Sequence, residues 1–538
     1  MTGFVRHAAL QRLASEQFDL LVVGGGITGS GIAREATLRG LRVALVEARD
    51  FASGTSSRST RLIHGGLRYL RQGEVRLVRE AVRERELLLG MAPHLVRPLP
   101  FLFPVFRGDP DALSLVRLGV ALYQRLGGLP VRSRHLLMTP NAVREQVPLL
   151  RSEGLRGGAL YEDALTDDAR LTLAVAQSAA GEGAAVANYC RVLRFLSGPD
   201  GDVRGAEVRD EESGAIFPIM AERTVIAAGA WTDRLREGEA PLLRLTKGVH
   251  LTLRREDLPL SSACVVRGPD GRLMFAIPDG PVTYVGTTDT DVASPGDDSI
   301  TSDDAEYIFA AIRRTFPDAN ISPASVIGAW SGVRPLVRLR PGPAPSQVSR
   351  DYRLVFSPDG LVYVVGGKLT AFRAMAERII DRVFPNTPSA EVRLRSRRPL
   401  AGGEAPLPHS EDWRRLARTV SVPEPLLTRE LAPYGAAAPS VLADLPAGIS
   451  GPPQHRLLRM RLRYAVREEM ALHLTDVLQR RTDFLRFSAG KTRAQIAALG
   501  QEMALLQGWS EARQAAEVAA VEGIWRSMFQ WRRSMGGA

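Results

Sequence analysis

Cysteine is scarce in this chain, with Cys190 and Cys264 the two found in 538 residues. An iron–sulfur cluster held by thiolates needs four cysteines, so a built-in cluster is excluded. Two cysteines so far apart match no metal or redox motif, and neither a disulfide framework nor a metal site is expected. This usage favours a reducing, cytoplasmic compartment.

Long apolar runs are missing as well. No stretch of about 18 apolar residues occurs, so no helix is expected to span a membrane. The N-terminus carries Arg6, Arg12 and Glu16 and lacks the apolar segment of a secretory signal. Contact with a membrane is therefore expected to be peripheral, at its cytoplasmic surface.

Lysine is the third rarity. The 70 basic residues include three lysines, and the formal net charge is +11. The arginines are interleaved with acidic residues, as in REAVRERELL, and form no basic tail. This pattern is typical of solvated helix faces and argues against nucleic acid as a partner. A basic face that meets anionic lipid or substrate stays open.

The chain begins with the pattern of a βαβ unit. Residues 18–23 form a continuous apolar run that ends in glycines, as expected of a parallel strand buried on both faces. A helix that Gly40 ends is predicted over 27–39, and a second strand over 42–47. Further helices are predicted over 74–91, 111–126, 462–478 and 493–506.

The clearest motif follows the first strand. Gly24, Gly26 and Gly29 form G-x-G-x-x-G between strand and helix, and Glu47 ends the second strand. The glycines let backbone amides approach a pyrophosphate at the helix N-terminus, and the carboxylate accepts hydrogen bonds from a ribose diol. A carboxylate there disfavours NADP, and no second fingerprint is present for a nicotinamide. FAD is therefore the predicted cofactor.

A polar run over 55–60 stands where the pyrophosphate and ribityl chain of a flavin need donors. His64 follows in a glycine turn and is predicted to lie beside the flavin; whether the flavin is attached covalently stays open. The predicted cofactor-binding residues are Gly24, Gly26, Ile27, Thr28, Gly29, Glu47, Ala48, Thr55, Ser56, Ser57, His64, Gly65, Gly66, Ala228, Gly229, Trp231, Gly367, Lys368, Leu369 and Thr370.

Later segments extend this organisation. Apolar strands that run into small residues return at 223–231 and 361–380, with short strands and turns typical of an antiparallel sheet between them. We predict an α/β fold in which residues 1–390 form a discontinuous FAD-binding domain with an inserted substrate-binding domain. Residues of about 80–150 and 240–350 lie mostly on the substrate side, and 391–538 form an α-helical C-terminal domain.

A few basic residues stand out by their setting. Lys247 and Lys368 lie in glycine-containing turns, and a compact ammonium is not replaced by a guanidinium at a tight site. Arg334 and Arg350 also stand in turns. Together with Arg68 they predict a pocket of three guanidinium groups, which suits a phosphate or a carboxylate.

Seven motifs carry a family resemblance. GGGITGSGIA, TSSRSTRLIHGGLRYL, TKGVHL, VGTTDTD, SGVRPL, SRDY and GGKLTAFRAMA occur together and in this order. The chain resembles the FAD-dependent glycerol-3-phosphate dehydrogenases, strongly over about 18–380 and moderately in VREEMALHLTDVLQRRT. Glu35 stands where the family usually has Asp, and Phe372 where it has Tyr, which removes a hydrogen bond near the flavin.

The resemblance implies a fold and a chemistry. The fold is a glutathione-reductase-like FAD-binding Rossmann domain with an inserted, mainly antiparallel substrate-binding sheet and an all-α C-terminal domain. Glycerol 3-phosphate lies over the flavin, and His250 takes the C2 hydroxyl proton as hydride passes to the flavin, giving dihydroxyacetone phosphate. The implied catalytic residues are His250, Arg334 and Lys368, and the substrate-binding residues are Arg68, Tyr69, His250, Arg334, Arg350 and Lys368.

The electron acceptor is a separate question. Family members reduce a membrane quinone, an iron–sulfur partner subunit or oxygen, and we expect a quinone here. The helix over 111–126 has Arg117 and Arg125 beside a wide apolar face and is a candidate for contact with an anionic membrane, the alternative being an ordinary packed helix. The alternatives are a glycerol-3-phosphate oxidase, a flavin amine or amino-acid oxidase of the same fold and, more distantly, an RNA-binding flavoprotein. Whether the protein forms a homodimer stays open.

Overall fold

The computed structural model describes residues 4–66, 73–110, 112–126, 136–236, 238–338, 352–387, 395–445 and 451–535. The strands of these residues are β1 Gln17–Val23, β2 Val43–Val46, β3 Leu62–Ile63, β4 Val96–Phe106, β5 Leu136–Met138, β6 Leu155–Thr166, β7 Ala185–Ala187, β8 Cys190–Ser197, β9 Val203–Asp210, β10 Ile216–Ile226, β11 Leu243–Arg254, β12 Ala263–Arg267, β13 Leu273–Asp279, β14 Val282–Gly286, β15 Thr290–Val292, β16 Val326–Val337, β17 Tyr352–Phe356 and β18 Val362–Gly366.

The α-helices of the same residues are α1 Arg6–Ser15, α2 Ile27–Leu38, α3 Val75–Met91, α4 Leu113–Leu126, α5 Pro140–Gln146, α6 Asp168–Gly181, α7 Ser302–Thr315, α8 Phe372–Val383, α9 Ser410–Val420, α10 Glu424–Leu431, α11 Ala438–Ala443, α12 Pro453–Glu468, α13 Leu474–Asp476, α14 Phe484–Phe487, α15 Arg493–Gln507 and α16 Glu511–Ser527. No helix in the described part of the chain has the length and apolarity that crossing a bilayer requires.

The first sheet has the parallel core expected of a nucleotide-binding domain. β1 lies between β2 and β10, β7 follows β2 and β18 follows β10, with every one of these pairs parallel. β17 pairs antiparallel with β18. β9 pairs antiparallel with β10, and β8 pairs antiparallel with β9. α2 packs against α6 and α8 over this sheet. The apolar run of β1 is buried on both faces, as its sequence predicts.

The second sheet forms the other layer of the site. Its order is β15-β11-β14-β13-β12-β4-β6-β3, with β16 paired to β11 and β5 to β6. The pairs are antiparallel except β12 with β4. In the β11–β16 register His250 stands opposite Trp330, and Thr246 opposite Arg334. This confirms the predicted α/β fold with a mainly antiparallel second sheet.

The C-terminal part, α9 to α16, is helical and docks on both sheets. Asp50, which follows β2, is fully buried and accepts hydrogen bonds from Arg480 and Arg481. α14 packs against β16 of the second sheet. The predicted boundary at residue 390 lies outside the described residues, so the division of the chain into domains stays a proposal.

One predicted helix is wrong. A single helix was expected over 462–478, but α12 ends at Glu468 and α13 begins at Leu474. Met470 adopts a left-handed backbone (φ +50°), which interrupts the helix. The apolar period continues across this break because residues on both sides, Leu462 and Leu478 among them, face the same core cluster. The other predicted helices form within two residues of their expected ends.

Candidate functional site

The turn between β1 and α2 needs its glycines. A Cβ on Gly24 (φ +117°) would lie 2.5 Å from the carbonyl oxygen of Ala227, and a Cβ on Gly29 would lie 1.9 Å from the Gly24 carbonyl oxygen. Gly26 is the N-cap of α2 and provides no side-chain cap. Gly24, Gly26, Ile27 and Thr28 line a cavity of about 470 Å³. The N-terminus of α2 is therefore open to a ligand in this cavity.

Glu47 lies at the end of β2 on the wall of the same cavity. Its carboxylate accepts hydrogen bonds from the backbone amides of Gly25 at 2.7 Å and Arg49 at 2.9 Å. Burial raises the pKa of Glu47, while these two donors oppose the rise. Since an ionised carboxylate has about four acceptor positions, two remain for the hydroxyls of a ribose.

The polar run after β2 meets the glycine turn. Ser56 Oγ accepts a hydrogen bond from the amide of Ile27 at 2.9 Å, and Thr55 Oγ1 donates to the carbonyl of Val333 at 2.6 Å. Ala48, Thr55, Ser56, His64 and Gly66 line the cavity, whereas Gly29, Ser57 and Gly65 do not. Gly29 instead packs on the turn, and Ser57 is buried. The Gly65 amide donates to Tyr123 Oη at 2.6 Å.

Two distant segments close the cavity around His64. Ala228, Gly229 and Trp231 follow β10, and Gly367, Lys368, Leu369 and Thr370 follow β18; all of them line the cavity. Lys368 Nζ donates to the carbonyl of His64 at 2.7 Å, and the His64 amide donates to Thr370 Oγ1 at 3.1 Å. The turn after β18 thus holds the His64 loop in place.

His250 lies on β11 with its side chain buried at the cavity wall. Its Nε2 lies 3.0 Å from Thr60 Oγ1, while Nδ1 is buried and has no hydrogen-bond partner among the described residues. The ring stacks on Trp330 at a centroid distance of 4.7 Å and an angle of 11°. Nε2 is therefore the ring nitrogen with a polar neighbour at the cavity wall.

Electrostatics keep this imidazole neutral. Burial lowers the pKa of His250 well below its ordinary value of 6.5, and the positive charges of Arg334 and Arg486 lower it further. A neutral imidazole with an accessible nitrogen can accept a proton, which an imidazolium cannot. The cavity wall therefore carries a neutral imidazole at neutral pH.

Arg334 reaches the same cavity from β16. Its guanidinium donates to Asp289 Oδ1 at 3.0 Å, to Thr287 Oγ1 at 2.8 Å and to the carbonyl of Thr288 at 3.2 Å. Gly248 on β11 is in direct contact, since a Cβ there would lie 2.1 Å from Arg334 Nη2. This packing fixes a positive charge on the His250 side of the cavity.

The remaining predicted basic groups have different outcomes. Arg68, Tyr69 and Arg350 lie outside the described residues. Lys247 forms an ion pair with Asp304 at 2.6 Å and does not reach the cavity wall. The described residues therefore bring together His250, Arg334 and Lys368, and the pocket of three guanidinium groups stays a prediction.

Sequence reasoning missed part of the cavity wall. Thr287 lies in the VGTTDTD motif, so that motif was the signal for it. The apolar wall comes from the second sheet and had no local signal, because its residues alternate like those of any half-buried strand. The members of this wall are Phe103, Tyr161, Val265, Leu273 and Phe275.

The residues present fit a flavin dinucleotide. The glycine turn forms a cradle that a Cβ would fill, and the N-cap residue of α2, Gly26, has no side chain to cap the helix. Glu47 stands where a ribose is expected, and the His64 loop with the turn after β18 closes the far end. The apolar wall of the second sheet suits the flat ring system of a flavin.

Comparison with protein families gives two matches. Residues 19–382 match the model of the FAD dependent oxidoreductases, and residues 396–514 match the C-terminal domain of alpha-glycerophosphate oxidase. An aerobic glycerol-3-phosphate dehydrogenase of Staphylococcus haemolyticus is 34% identical over 537 residues, which cover 95% of this chain and 94% of that protein.

Solved structures agree with these matches. The glycerol-3-phosphate dehydrogenase of Bacillus halodurans complexed with FAD superposes with a TM-score of 0.80 at 32% identity, covering 98% of both chains. A glycine oxidase of Geobacillus kaustophilus superposes with a TM-score of 0.54 at 20% identity, covering 70% of this chain and 98% of that one. At that identity the glycine oxidase shares the fold alone.

Proposed function

The chain belongs to the FAD-dependent oxidoreductases, among the aerobic glycerol-3-phosphate dehydrogenases, and we propose how its residues carry out that oxidation. It oxidises sn-glycerol 3-phosphate to dihydroxyacetone phosphate, with FAD as its cofactor. One observation supports the assignment of roles most directly: His250, Arg334 and Lys368 share a cavity with the dinucleotide fingerprint.

The cofactor supplies a two-electron acceptor when bound. The N-terminus of α2 holds its pyrophosphate, Glu47 its ribose, and Thr55 and Ser56 the chain that leads to the flavin. The turn of Gly367 and Lys368 lies at the far end, where an ammonium favours negative charge. Whether FAD is attached covalently through His64 stays open, and mass spectrometry of the denatured protein decides it.

His250 is the base. Its Nε2 accepts the proton of the C2 hydroxyl, and bound FAD would supply the acceptor for the C2 hydride. Thr60 holds the imidazole until the substrate replaces that contact. Arg334 fixes the substrate phosphate, assisted by Lys368 and by the predicted Arg68, Tyr69 and Arg350. The burial of the imidazole limits its contact with bulk water.

The substrate assignment is tested by turnover. The purified protein, loaded with FAD and supplied with a dye acceptor, should oxidise glycerol 3-phosphate and leave a panel of amino acids, including glycine, untouched. The glycine oxidase shares this fold, so oxidation of an amino acid at a comparable kcat/KM would reject the assignment.

Arg334→Ala tests the phosphate contact. The KM for glycerol 3-phosphate should rise by about 10- to 100-fold, because a charge-assisted contact of about 1.5–3 kcal/mol is lost, while FAD content stays the same. Arg244→Ala is the matched control, since Arg244 also lies on the β11–β16 face and pairs with Asp291 away from the cavity. An unchanged KM in Arg334→Ala would remove Arg334 from the substrate site.

We propose a membrane quinone as the acceptor. α4 supports this choice: Leu115, Leu118 and Leu122 are exposed on one face, and Arg117 and Arg125 are exposed beside them. Such a helix suits peripheral contact with an anionic bilayer, where quinones reside. Rates with a ubiquinone analogue, a menaquinone analogue and oxygen alone decide the acceptor, and full turnover with oxygen alone would instead make the protein an oxidase.

A further inference from the structure

The C-terminal helices reach the back of the catalytic base. α14 lies in direct backbone contact with β16, since a Cβ on Gly328 would lie 2.0 Å from the carbonyl oxygen of Arg486. Phe487 stacks on Tyr284 at a centroid distance of 5.9 Å. α14 thus lies behind the strands that carry Trp330 and His250.

The side chain of Arg486 is buried without a polar partner. It is 6% exposed, and among the described residues its guanidinium makes neither a hydrogen bond nor an ion pair. Its Cζ lies over the Trp330 ring, 5.5 Å from the ring centroid. A buried cation is costly, and an aromatic face offsets only part of that cost.

The nearby carboxylates are committed elsewhere. Asp168 accepts hydrogen bonds from the amide and the hydroxyl of Ser59, and Asp483 accepts two from Arg61. Burial lowers the pKa of Arg486 to about 10, which Asp168 and Asp483 partly oppose. The guanidinium therefore remains charged at neutral pH, and its field is not cancelled by a partner in contact.

The ring pair connects this charge to the base. Trp330 stacks on His250 and lies under Arg486, so the charge stands within about 10 Å of the imidazole. Trp330 Nε1 donates to the carbonyl of Ser59 at 3.1 Å, which fixes the indole between the two. Without the Arg486 guanidinium, one face of the Trp330 indole would lose its packing partner.

The other arginines around His250 are paired with carboxylates. Arg334 of β16 pairs with Asp289, Arg58 of the 55–60 run with Asp298, and Arg61 with Asp483. From β14 the neighbour of His250 is the neutral Tyr284, and from the 55–60 run it is Thr60. Among these four arginines, Arg486 is the one whose charge no contacting carboxylate offsets. Lys368 lines the same cavity and donates to the carbonyl of His64.

We propose that Arg486 is a positioning residue for His250: its guanidinium fixes the Trp330 ring on which His250 stacks, and its charge favours the neutral imidazole. The proposal rests on the function above, in which His250 is the base. It makes the C-terminal domain part of the catalytic apparatus, although no atom of that domain lines the cavity in the described residues. The oxidation would then depend on correct docking of α14.

The test is the pH dependence of kcat/KM for glycerol 3-phosphate, measured on FAD-loaded wild type, Arg486→Gln and Arg486→Lys. A unit charge at about 10 Å shifts a pKa by about 0.5 to 1 unit, so the acidic limb should move up by that amount in Arg486→Gln and stay in place in Arg486→Lys. Ionisation of the substrate phosphate is common to all three proteins and cancels in the comparison. Arg526→Gln, which removes an exposed arginine of α16, should leave the limb unmoved.

A titration of histidine-labelled protein by NMR gives the same answer without turnover. The His250 signal, identified with His250→Asn, should titrate at higher pH in Arg486→Gln than in wild type. These measurements distinguish failure of the proposed function from failure of the Arg486 proposal. If the wild type does not oxidise glycerol 3-phosphate, the proposed function is rejected. If the His250 titration and the acidic limb do not move in Arg486→Gln, the role of Arg486 is rejected. Arg486→Met is the second neutral variant, and loss of the fold in both neutral variants would overturn the proposal by showing a purely structural role.

Discussion

A histidine that is to act as a base has to be neutral before its substrate arrives. His250 meets this condition because burial and two nearby arginines disfavour the imidazolium. The same burial places Nε2 at the cavity and leaves Nδ1 inside the protein. In the proposed reaction, proton transfer is thus restricted to one nitrogen of His250, and the Trp330 stack sets the orientation of the ring.

His250→Asn should reduce kcat by about 100- to 10,000-fold, the range for a lost general base, while the visible flavin absorbance of the purified protein stays unchanged. The residual activity should lose the acidic limb of the wild-type profile, which lies below the ordinary histidine pKa of 6.5 because the pKa of His250 is lowered. Steady-state kinetics with a dye acceptor measure both effects.

His94→Asn is the matched control, because His94 is also a buried histidine but bonds to the carbonyl of Ala401 away from the cavity. It should keep the wild-type kcat and pH profile. Normal turnover in His250→Asn would show that another group takes the proton.

Single residues also show the limits of sequence reasoning. The glycine turn and Glu47 were predicted because strand, turn and helix are consecutive and their chemistry is local. Two contacts were not predicted: that of Thr60 with His250 and that of Arg486 with Trp330. They join segments about 190 and 160 residues apart. Only the docking of whole elements brings these side chains together.

At the scale of elements, α4 has two apolar faces. Val116, Val120 and Tyr123 are buried in the core, and Tyr123 holds the Gly65 amide of the His64 loop. The opposite face exposes Leu115 at 51% and Leu118 at 65%. A helix that only packs on the core has no need of this second face, so its leucines favour contact with a bilayer.

The double variant Leu115→Glu/Leu118→Glu should bind at least about tenfold more weakly to vesicles of phosphatidylcholine and phosphatidylglycerol, because two leucines lose apolar burial and gain repulsion from the anionic surface. Vesicle co-flotation measures the bound fraction. Turnover with a soluble dye should be unchanged, since neither leucine lines the cavity.

Leu505→Glu provides the comparison, because Leu505 is 79% exposed on α15, a helix of the C-terminal domain. It should float with vesicles as the wild type does. Equal binding of the double variant and the wild type would exclude α4 as the membrane contact.

At the scale of the whole molecule, the C-terminal domain is held by buried charges as well as by packing. Asp50 beside β2 bonds both Arg480 and Arg481, and Arg170 of α6 pairs with Glu469 at 2.9 Å. The sequence predicted the helical character of this domain from its periodicity. It did not predict the docking, because ion pairs between distant segments leave no periodic signal.

His473 is the part of this docking that responds to pH. Its ring lies between Glu212, in the β9–β10 turn, and Glu517 of α16, at 2.9 and 2.6 Å. Burial alone would lower the pKa of His473, but the two carboxylates raise it to about 10 from the ordinary 6.5. A group whose pKa is raised on folding stabilises the folded state fully when the pH is below the unfolded pKa, here 6.5. This stabilisation is lost as the pH rises through the folded pKa of about 10.

His473→Gln should therefore lower the apparent Tm by about 2 to 4 °C at pH 6, as expected when one partner of a half-buried ion pair is lost, and the difference from wild type should shrink steadily between pH 7 and pH 10. Thermal unfolding followed by flavin fluorescence and by circular dichroism measures it. His7→Gln, at an exposed histidine of α1, should match the wild type at every pH. A difference that stays constant up to pH 10 would show that His473 acts by packing, and the docking that places Arg486 behind the base would then be independent of pH over this range.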